Sequence, residues 1–248
     1  MTAAIRRHRG VHTSALLALS LTLGGCSGSE TERATPSPSP QALPPSKVCG
    51  GLLSGTGGKA LVELRGAEQF VDVEQSNMAE LTPSAAARQL RTAGASAPGG
   101  KRRYLCLART DDQFKDGNFN ISVAWERLKP GDDKRGSSKP GSSNRRLGFD
   151  LAPRTGKPGY VPYANASAAS AFAFFACPTG DGKKGGVVLA IDLMSLWLAP
   201  LGREDRAPER LVRVIHPVAV KLAQEMGCLA ESRLPVNLGE LTPLPADN

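Results

Sequence analysis

Alternating apolar and polar residues mark the clearest element of the chain, a strand near its middle. From Phe119 to Trp125 every second residue is apolar, and the residues between them are mostly polar. This period of two predicts a strand with one buried face, as in an antiparallel sheet. Residues 102–109 are its expected partner, because Asp116-Gly117 between the two segments is typical of a hairpin turn.

A second pair of segments has the same organisation. Residues 171–177 and 186–193 are rich in apolar residues, and Asp181-Gly182 lies in the loop between them. A further short strand is expected at residues 146–151. The pattern therefore predicts an antiparallel sheet built from hairpins.

Helical periodicity is confined to a few segments. Thr82-Pro83 supplies a cap and a first-turn proline for a helix that runs through Arg91 and ends before Gly94. The longest helix is predicted from Pro208 to Met226, with Gly227 as its end and a kink at Pro217. One stripe of this helix is apolar: Leu211, Ile215, Val218, Leu222 and Met226. Together these elements predict an α+β fold, in which a few helices pack on the sheet.

The N-terminus has the pattern of a secretory signal, predicted for residues 1–25. Arg6, Arg7 and Arg9 form a positively charged start, and these 25 residues contain no acidic residue. The apolar run from Ala15 to Leu23 is shorter than the roughly 20 residues needed to span a bilayer. We therefore expect it to be removed rather than to remain as a membrane anchor.

The end of this apolar run resembles the lipobox of bacterial lipoproteins. The residues are Leu23-Gly24-Gly25-Cys26, an aliphatic residue and two small residues before a cysteine. The resemblance implies that the thiol of Cys26 carries a diacylglycerol and that Cys26 is the first residue of the mature chain.

Residues 26–46 are predicted to be the lipidated cysteine and a disordered tether. The segment is rich in proline and serine and has almost no apolar side chain to bury. We expect the extracytoplasmic domain to span residues 47–248. Two halves, 47–129 and 146–228, joined by a mobile loop, are an open possibility within it.

Four cysteines remain after Cys26: Cys49, Cys106, Cys177 and Cys228. An even number in an exported chain, without a C-x-x-C spacing, predicts two disulfides. Three pairings are possible. We favour the sequential pairing, Cys49 with Cys106 and Cys177 with Cys228, because it closes two loops of similar length.

The sequence offers little for catalysis, and we expect neither catalytic nor metal-binding nor cofactor-binding residues. Only His216 remains of the three histidines once residues 1–25 are removed. Its place in an apolar helical stretch favours a packed or surface residue over a catalytic base. Common hydrolase, metalloprotease and nucleotide-binding motifs do not occur. An exported hydrolase is the least favoured function.

The segment Val48 to Leu53, a later cysteine in a strand, and the terminal Met226-Gly227-Cys228 resemble small exported lipoproteins of unassigned function, of the actinobacterial type. The resemblance implies a domain held by a lipid anchor on the outer face of the bacterial cell membrane. We expect a non-enzymatic binding or interaction module there, with a protein or cell-envelope partner and not nucleic acid. The alternative is a carrier of a small molecule or lipid.

The net charge is an ordinary value for a soluble domain, which is the favoured interpretation, and it is also compatible with acidic partners. The whole chain has 31 basic and 23 acidic residues, and removing three arginines with the signal leaves a formal charge of +5. That value is compatible with anionic headgroups or acidic wall polymers.

Overall fold

The computed structural model describes residues 41–73, 81–94, 101–110, 118–127, 146–153, 160–178, 187–195 and 206–244. These ranges belong to one unit, Ser39–Asn248. Their eight strands form a single antiparallel sheet. The strands are β1 (Ala42–Leu43), β2 (Phe70–Asp72), β3 (Arg103–Thr110), β4 (Asn118–Arg127), β5 (Leu147–Asp150), β6 (Tyr163–Ala166), β7 (Ser170–Phe175) and β8 (Val187–Ser195).

The sheet consists of two four-stranded meanders that meet at its centre. Its strand order is β1-β2-β3-β4-β8-β7-β6-β5, so the last strand of each meander pairs with the last strand of the other. Nine residue pairs join β4 to β8, from Phe119↔Ser195 to Arg127↔Val187. Both proposed halves of the domain therefore contribute to one sheet and one core.

The described helices pack on one face of this sheet, where alternate strand residues form the core. Ile121, Ile191 and Ala173 are examples from β4, β8 and β7, and all are fully buried. The helices are α1 (Val48–Gly51), α2 (Thr56–Arg65), α3 (Pro83–Ala93), α4 (Ala207–Met226) and α5 (Leu229–Ser232). The α+β class predicted from the sequence is confirmed.

Helix α3 shows how local sequence and packing agree. Its cap is Thr82, whose Oγ1 accepts a hydrogen bond of 3.2 Å from the backbone N–H of Ala85. The buried indole N–H of Trp125 in β4 donates 3.0 Å to the carbonyl of Leu90. This bond fixes the helix on the sheet, because a buried indole N–H without an acceptor would be destabilising.

Helix α4 is the longest and most buried. It runs without interruption through Pro217 and ends at Gly227, which adopts a left-handed conformation. The predicted bounds, Pro208 to Met226, differ from the observed ones by one residue. Of the predicted apolar stripe of α4, Leu211, Ile215, Val218 and Leu222 are fully buried and Met226 is partly buried.

The disulfides follow the sequential pairing. Cys49 in α1 is bonded to Cys106 in β3, and Cys177, just after β7, is bonded to Cys228. The second bond attaches the end of α4 to the sheet. The two predicted disulfides are confirmed with the favoured connectivity.

The N-terminal edge of the sheet differs from the sequence-based prediction. Ala42 and Leu43, assigned to the tether, form β1 and pair with Val71 and Phe70 of β2. The carbonyl of Pro44 accepts hydrogen bonds from the backbone of Lys47 and Val48. Lys47 is therefore not the first folded residue, since the described fold already includes Ala42.

Several predictions lie outside the described residues: the signal, Cys26, the tether as far as Pro40, and the predicted loop at 130–144. In the part of the chain that the structure describes, no helix is both long and apolar enough to cross a membrane.

Candidate functional site

Five cysteines were predicted to have a role, four in disulfides and Cys26 in lipid attachment. The four domain cysteines are all buried and all disulfide-bonded, so they stabilise the fold. Cys26, the predicted attachment point, lies outside the described residues.

His216 is a core residue. Only 2 % of it is exposed, and burial lowers its pKa to about 4, although a hydrogen bond with the backbone of Pro235 acts in the opposite direction. The imidazole is therefore neutral at physiological pH. Of the two alternatives that the sequence left open, a packed or a surface histidine, the structure has the packed one.

The other face of the sheet, which we call the open face because the described helices pack on the opposite side, carries side chains of a different kind. Several of them are nonetheless buried, among them Ser122, Tyr163 and Asp192. The core residues of each strand face the helices, so the residues between them face the opposite way. One row of directly paired positions crosses six strands on this face. This transverse row consists of Tyr104, Ser122, Asp192, Phe172, Asn165 and Gly148, in the order β3, β4, β8, β7, β6, β5.

Asp192 lies at the centre of the transverse row. Only 4 % of Asp192 is exposed, whereas aspartate side chains in proteins are mostly exposed to solvent. Oδ2 of Asp192 accepts a hydrogen bond from the guanidinium of Arg102, which reaches over from the start of β3. Burial raises the pKa of Asp192, and the hydrogen bond and charge of Arg102 oppose that shift, as does the charge of Arg146.

An aromatic ladder, Phe172, Phe174, Tyr163 and Tyr160, lies beside the acidic centre. The rings of Phe172 and Phe174 are nearly parallel, with centroids 6.3 Å apart, and those of Phe174 and Tyr163 stack at 4.8 Å. The guanidinium of Arg146 lies 5.4 Å from the centroid of Phe172, a cation–π distance. Both phenylalanine side chains are half-buried. This part of the face is thus apolar with a cationic end.

Two buried oxygens in the transverse row have no hydrogen-bond partner among the described residues. They are Oδ1 of Asp192 and Oδ1 of Asn165. Phe172 lies between Asp192 and Asn165 in the row, so the backbone positions of these two residues are two strand spacings apart, about 10 Å. Buried polar groups are nearly always hydrogen-bonded, and exceptions often indicate a missing water, ion or ligand.

Two clefts open elsewhere on the described surface. One of about 490 Å³ lies between Pro45 and α2. The other, of about 620 Å³, lies between residues 150–153 and the C-terminal segment 235–244. Leu244 in that segment donates its backbone N–H to the carbonyl of Gly148, so the segment covers the edge of β5.

The open face brings together a buried carboxylate paired with Arg102, a row of aromatic rings and the guanidinium of Arg146 near the ring of Phe172. Among the described residues there is no cluster of three or more potential metal ligands from His, Cys, Asp and Glu.

The sequence analysis did not predict the transverse row on this face. One signal was present, because Asp192 is the only charged residue in the apolar segment 187–198. A lone carboxylate in a buried strand requires a partner, but the sequence does not show that Arg102, ninety residues earlier, provides it.

Comparison with protein-family models, with curated proteins and with solved structures returns no match for this chain. The resemblance to exported lipoproteins therefore rests on the short motifs described above.

Proposed function

We propose that this protein is a lipid-anchored lipoprotein on the outer face of the bacterial cell membrane, where its disulfide-linked domain acts as a non-enzymatic binding module. The observation that carries the proposal is the order of features in the first 46 residues. A basic start, a short apolar run, Leu23-Gly24-Gly25-Cys26 and a proline-rich segment follow one another directly.

Two disulfides agree with export, because such bonds form and persist in oxidising compartments. The chain enters the domain at β1, an edge of the sheet, about 15 residues after Cys26. As an extended proline-rich chain at about 3 Å per residue, this linker would reach roughly 45 Å. The anchor thus leaves room for a partner to approach the domain.

Anchoring is tested by partition into the detergent phase of Triton X-114. The wild type and a Ser27→Ala control, which leaves the lipobox intact, are expected in the detergent phase. Cys26→Ala, exported behind a cleavable signal that has no lipobox, is expected in the aqueous phase. Detergent partition of Cys26→Ala would contradict the proposed attachment.

Binding is tested by photo-crosslinking in intact cells. A photoreactive residue at Arg109, an exposed position on the open face, is expected to capture a ligand or partner. The matched position is Arg88, exposed on α3 on the helical side, which is expected to capture none. Equal capture from both positions would count against the open face as the binding surface.

The alternative function is carriage of a small molecule or lipid. It is favoured by the cleft between residues 150–153 and the C-terminal segment 235–244. Its volume of about 620 Å³ falls within the range of small-molecule sites, and leucines and prolines form much of its lining. Native mass spectrometry of protein purified from its own cells tests this alternative. A co-purifying molecule that Leu238→Trp displaces would support carriage.

A further inference from the structure

We propose that the cleft between residues 150–153 and the C-terminal segment 235–244 binds a small molecule with an apolar chain and an ammonium group. The apolar chain lies against the leucines of the cleft, and the ammonium group pairs with the carboxylate of Glu240. This inference deepens the alternative function, carriage of a small molecule, and rests on it.

The C-terminal segment is a wall of the cleft that the rest of the domain holds in place. Nη2 of Arg213 in α4 donates a hydrogen bond of 3.2 Å to the carbonyl of Gly239. His216, also in α4, is hydrogen-bonded with the backbone of Pro235, and the backbone N–H of Leu244 bonds to β5. These bonds fix the segment near its middle and at both ends. The cleft is therefore formed before a ligand binds, as is usual for small-molecule sites.

Every third residue of this wall is turned towards the domain. Pro235, Leu238, Leu241 and Leu244 are all less exposed than the residues between them, and all four line the cleft. Leu151, which is buried, belongs to the opposite wall. An alkyl chain between these walls leaves water for an apolar surface, and the binding free energy grows with the apolar area buried.

Charge selects an ammonium group at the other end of the ligand. Two of the described residues that line the cleft are acidic, Asp150 and Glu240, and none is basic, although basic residues outnumber acidic ones in the whole chain. Asp150 already has another interaction, so the selection rests on Glu240. The side chain of Glu240 is exposed and has no ion pair among the described residues. Its carboxylate attracts an ammonium group and repels a carboxylate.

The second described cleft, beside α2, lacks this selection. It is lined by one residue of each charge, Lys59 and Glu63. Oε2 of Glu63 also lies 3.9 Å from Nε of Arg210. A compound that binds through its apolar chain alone would occupy both clefts alike, so the cleft beside α2 is an internal control.

The test uses ¹⁵N-labelled Cys26→Ala protein, which keeps the complete domain and carries no lipid of its own. Decylamine and decanoate are the probes, because their chains are of similar length and their charges are opposite at pH 7. Decylamine is expected to shift the amide resonances of Leu238, Gly239 and Leu241 but not that of Gly58 in the other cleft, with a dissociation constant on the order of 1 mM. Decanoate is expected to bind at least about threefold more weakly.

Two variants each reverse one negative charge. Glu240→Lys is expected to invert the preference, so that decanoate binds more tightly than decylamine. Glu68→Lys, at an exposed position that does not line the cleft, is expected to keep the preference of the wild type. Leu238→Trp, which fills the cleft, is expected to weaken binding of both probes at least about tenfold. Thermal melts verify that each variant is folded.

Four results would overturn the proposal. They are an absence of shifts in the cleft up to about 5 mM decylamine, equal shifts at Gly58, binding of decanoate as tight as that of decylamine, and an unchanged preference in Glu240→Lys. A co-purifying molecule without an ammonium group that Leu238→Trp displaces would contradict this inference and leave carriage standing. The detergent partition of Cys26→Ala is independent of all of them, so a failure here is distinguishable from a failure of the proposed anchoring.

Discussion

Gly57 of α2 lies directly against Pro217 of α4. A Cβ atom added to Gly57 would come within 2.8 Å of Cγ of Pro217 and 3.3 Å of the carbonyl oxygen of Val214. The two helices therefore cross closely where α4 contains its proline. A glycine that is unfavourable in an isolated helix is required here by the packing of the helix against its neighbour.

We expect Gly57→Ala to destabilise the domain. The gain in helix propensity, up to about 1 kcal/mol, is outweighed by overpacking of about 1–3 kcal/mol at Pro217. Gly239→Ala is the control, because a Cβ there meets no atom within 4 Å. Urea unfolding of both variants measures the difference. A Gly57→Ala protein as stable as the control would show that the helices separate without loss.

Removal of the bond between Cys177 and Cys228 should lower the free energy of unfolding. The bond closes a sequence separation of 51 residues and holds the end of α4 on the sheet. The Cys177→Ala, Cys228→Ala double variant is therefore expected to lose about 2–5 kcal/mol. Thermal melts under non-reducing conditions measure it. An unchanged midpoint would mean that packing of α4 alone holds this end of the helix.

Truncation should locate the start of the folded domain. A chain beginning at Gln41 keeps β1 and is expected to melt like one beginning at Cys26. A chain beginning at Lys47 lacks the pairing of Ala42 and Leu43 with β2 and the carbonyl of Pro44, and should lose about 1–3 kcal/mol. Identical melts of all three chains would place β1 outside the cooperative unit.

Acidification should destabilise the domain through His216. Its pKa is about 4 in the folded state against 6.5 in the unfolded chain, so the unfolded chain binds a proton first as pH falls. The contribution is fully present above pH 6.5 and is lost as pH falls towards 4, by about 3 kcal/mol.

The measurement is the difference in unfolding free energy between wild type and His216→Gln at pH values from 7 to 4.5. Other groups titrate in both proteins, and their contributions cancel in this difference. The advantage of the wild type should shrink steadily as the pH falls. A difference that stays constant with pH would contradict a buried neutral histidine.

Local patterns predicted the elements whose periodicity is strong. The bounds of strands β3, β4, β7 and β8 and of helices α3 and α4 lie within two residues of the predicted ones, because one face of each element is consistently apolar. The disulfide pairing was also predicted, since each bond closes a loop within one part of the chain.

The missed elements depend on tertiary contacts that the sequence does not display. Gly57 and Gly58 argue against a helix, yet α2 forms because Gly57 permits its close approach to α4 and Gly58 permits a close approach to Leu53 and Pro45. Strands β1, β2 and β6 have two, three and four residues and show no regular alternation of apolar and polar residues. They form because neighbouring strands provide edges on which to pair.

The candidate site was not predictable for a related reason. Its members come from six strands, and only the register of the sheet brings Asn165, Phe172 and Asp192 into one row. No spacing along the chain indicates that register. Cys26 is the opposite case, since its predicted role depends on four consecutive residues alone.

The mass of the mature protein, isolated from membranes of the cells that make it, tests the central claim most directly. The account predicts a chain that begins at Cys26, carries a diacylglycerol on its thiol and contains four further cysteines with no free thiol. A mature chain that begins at another residue, or one with an unmodified Cys26, would contradict it.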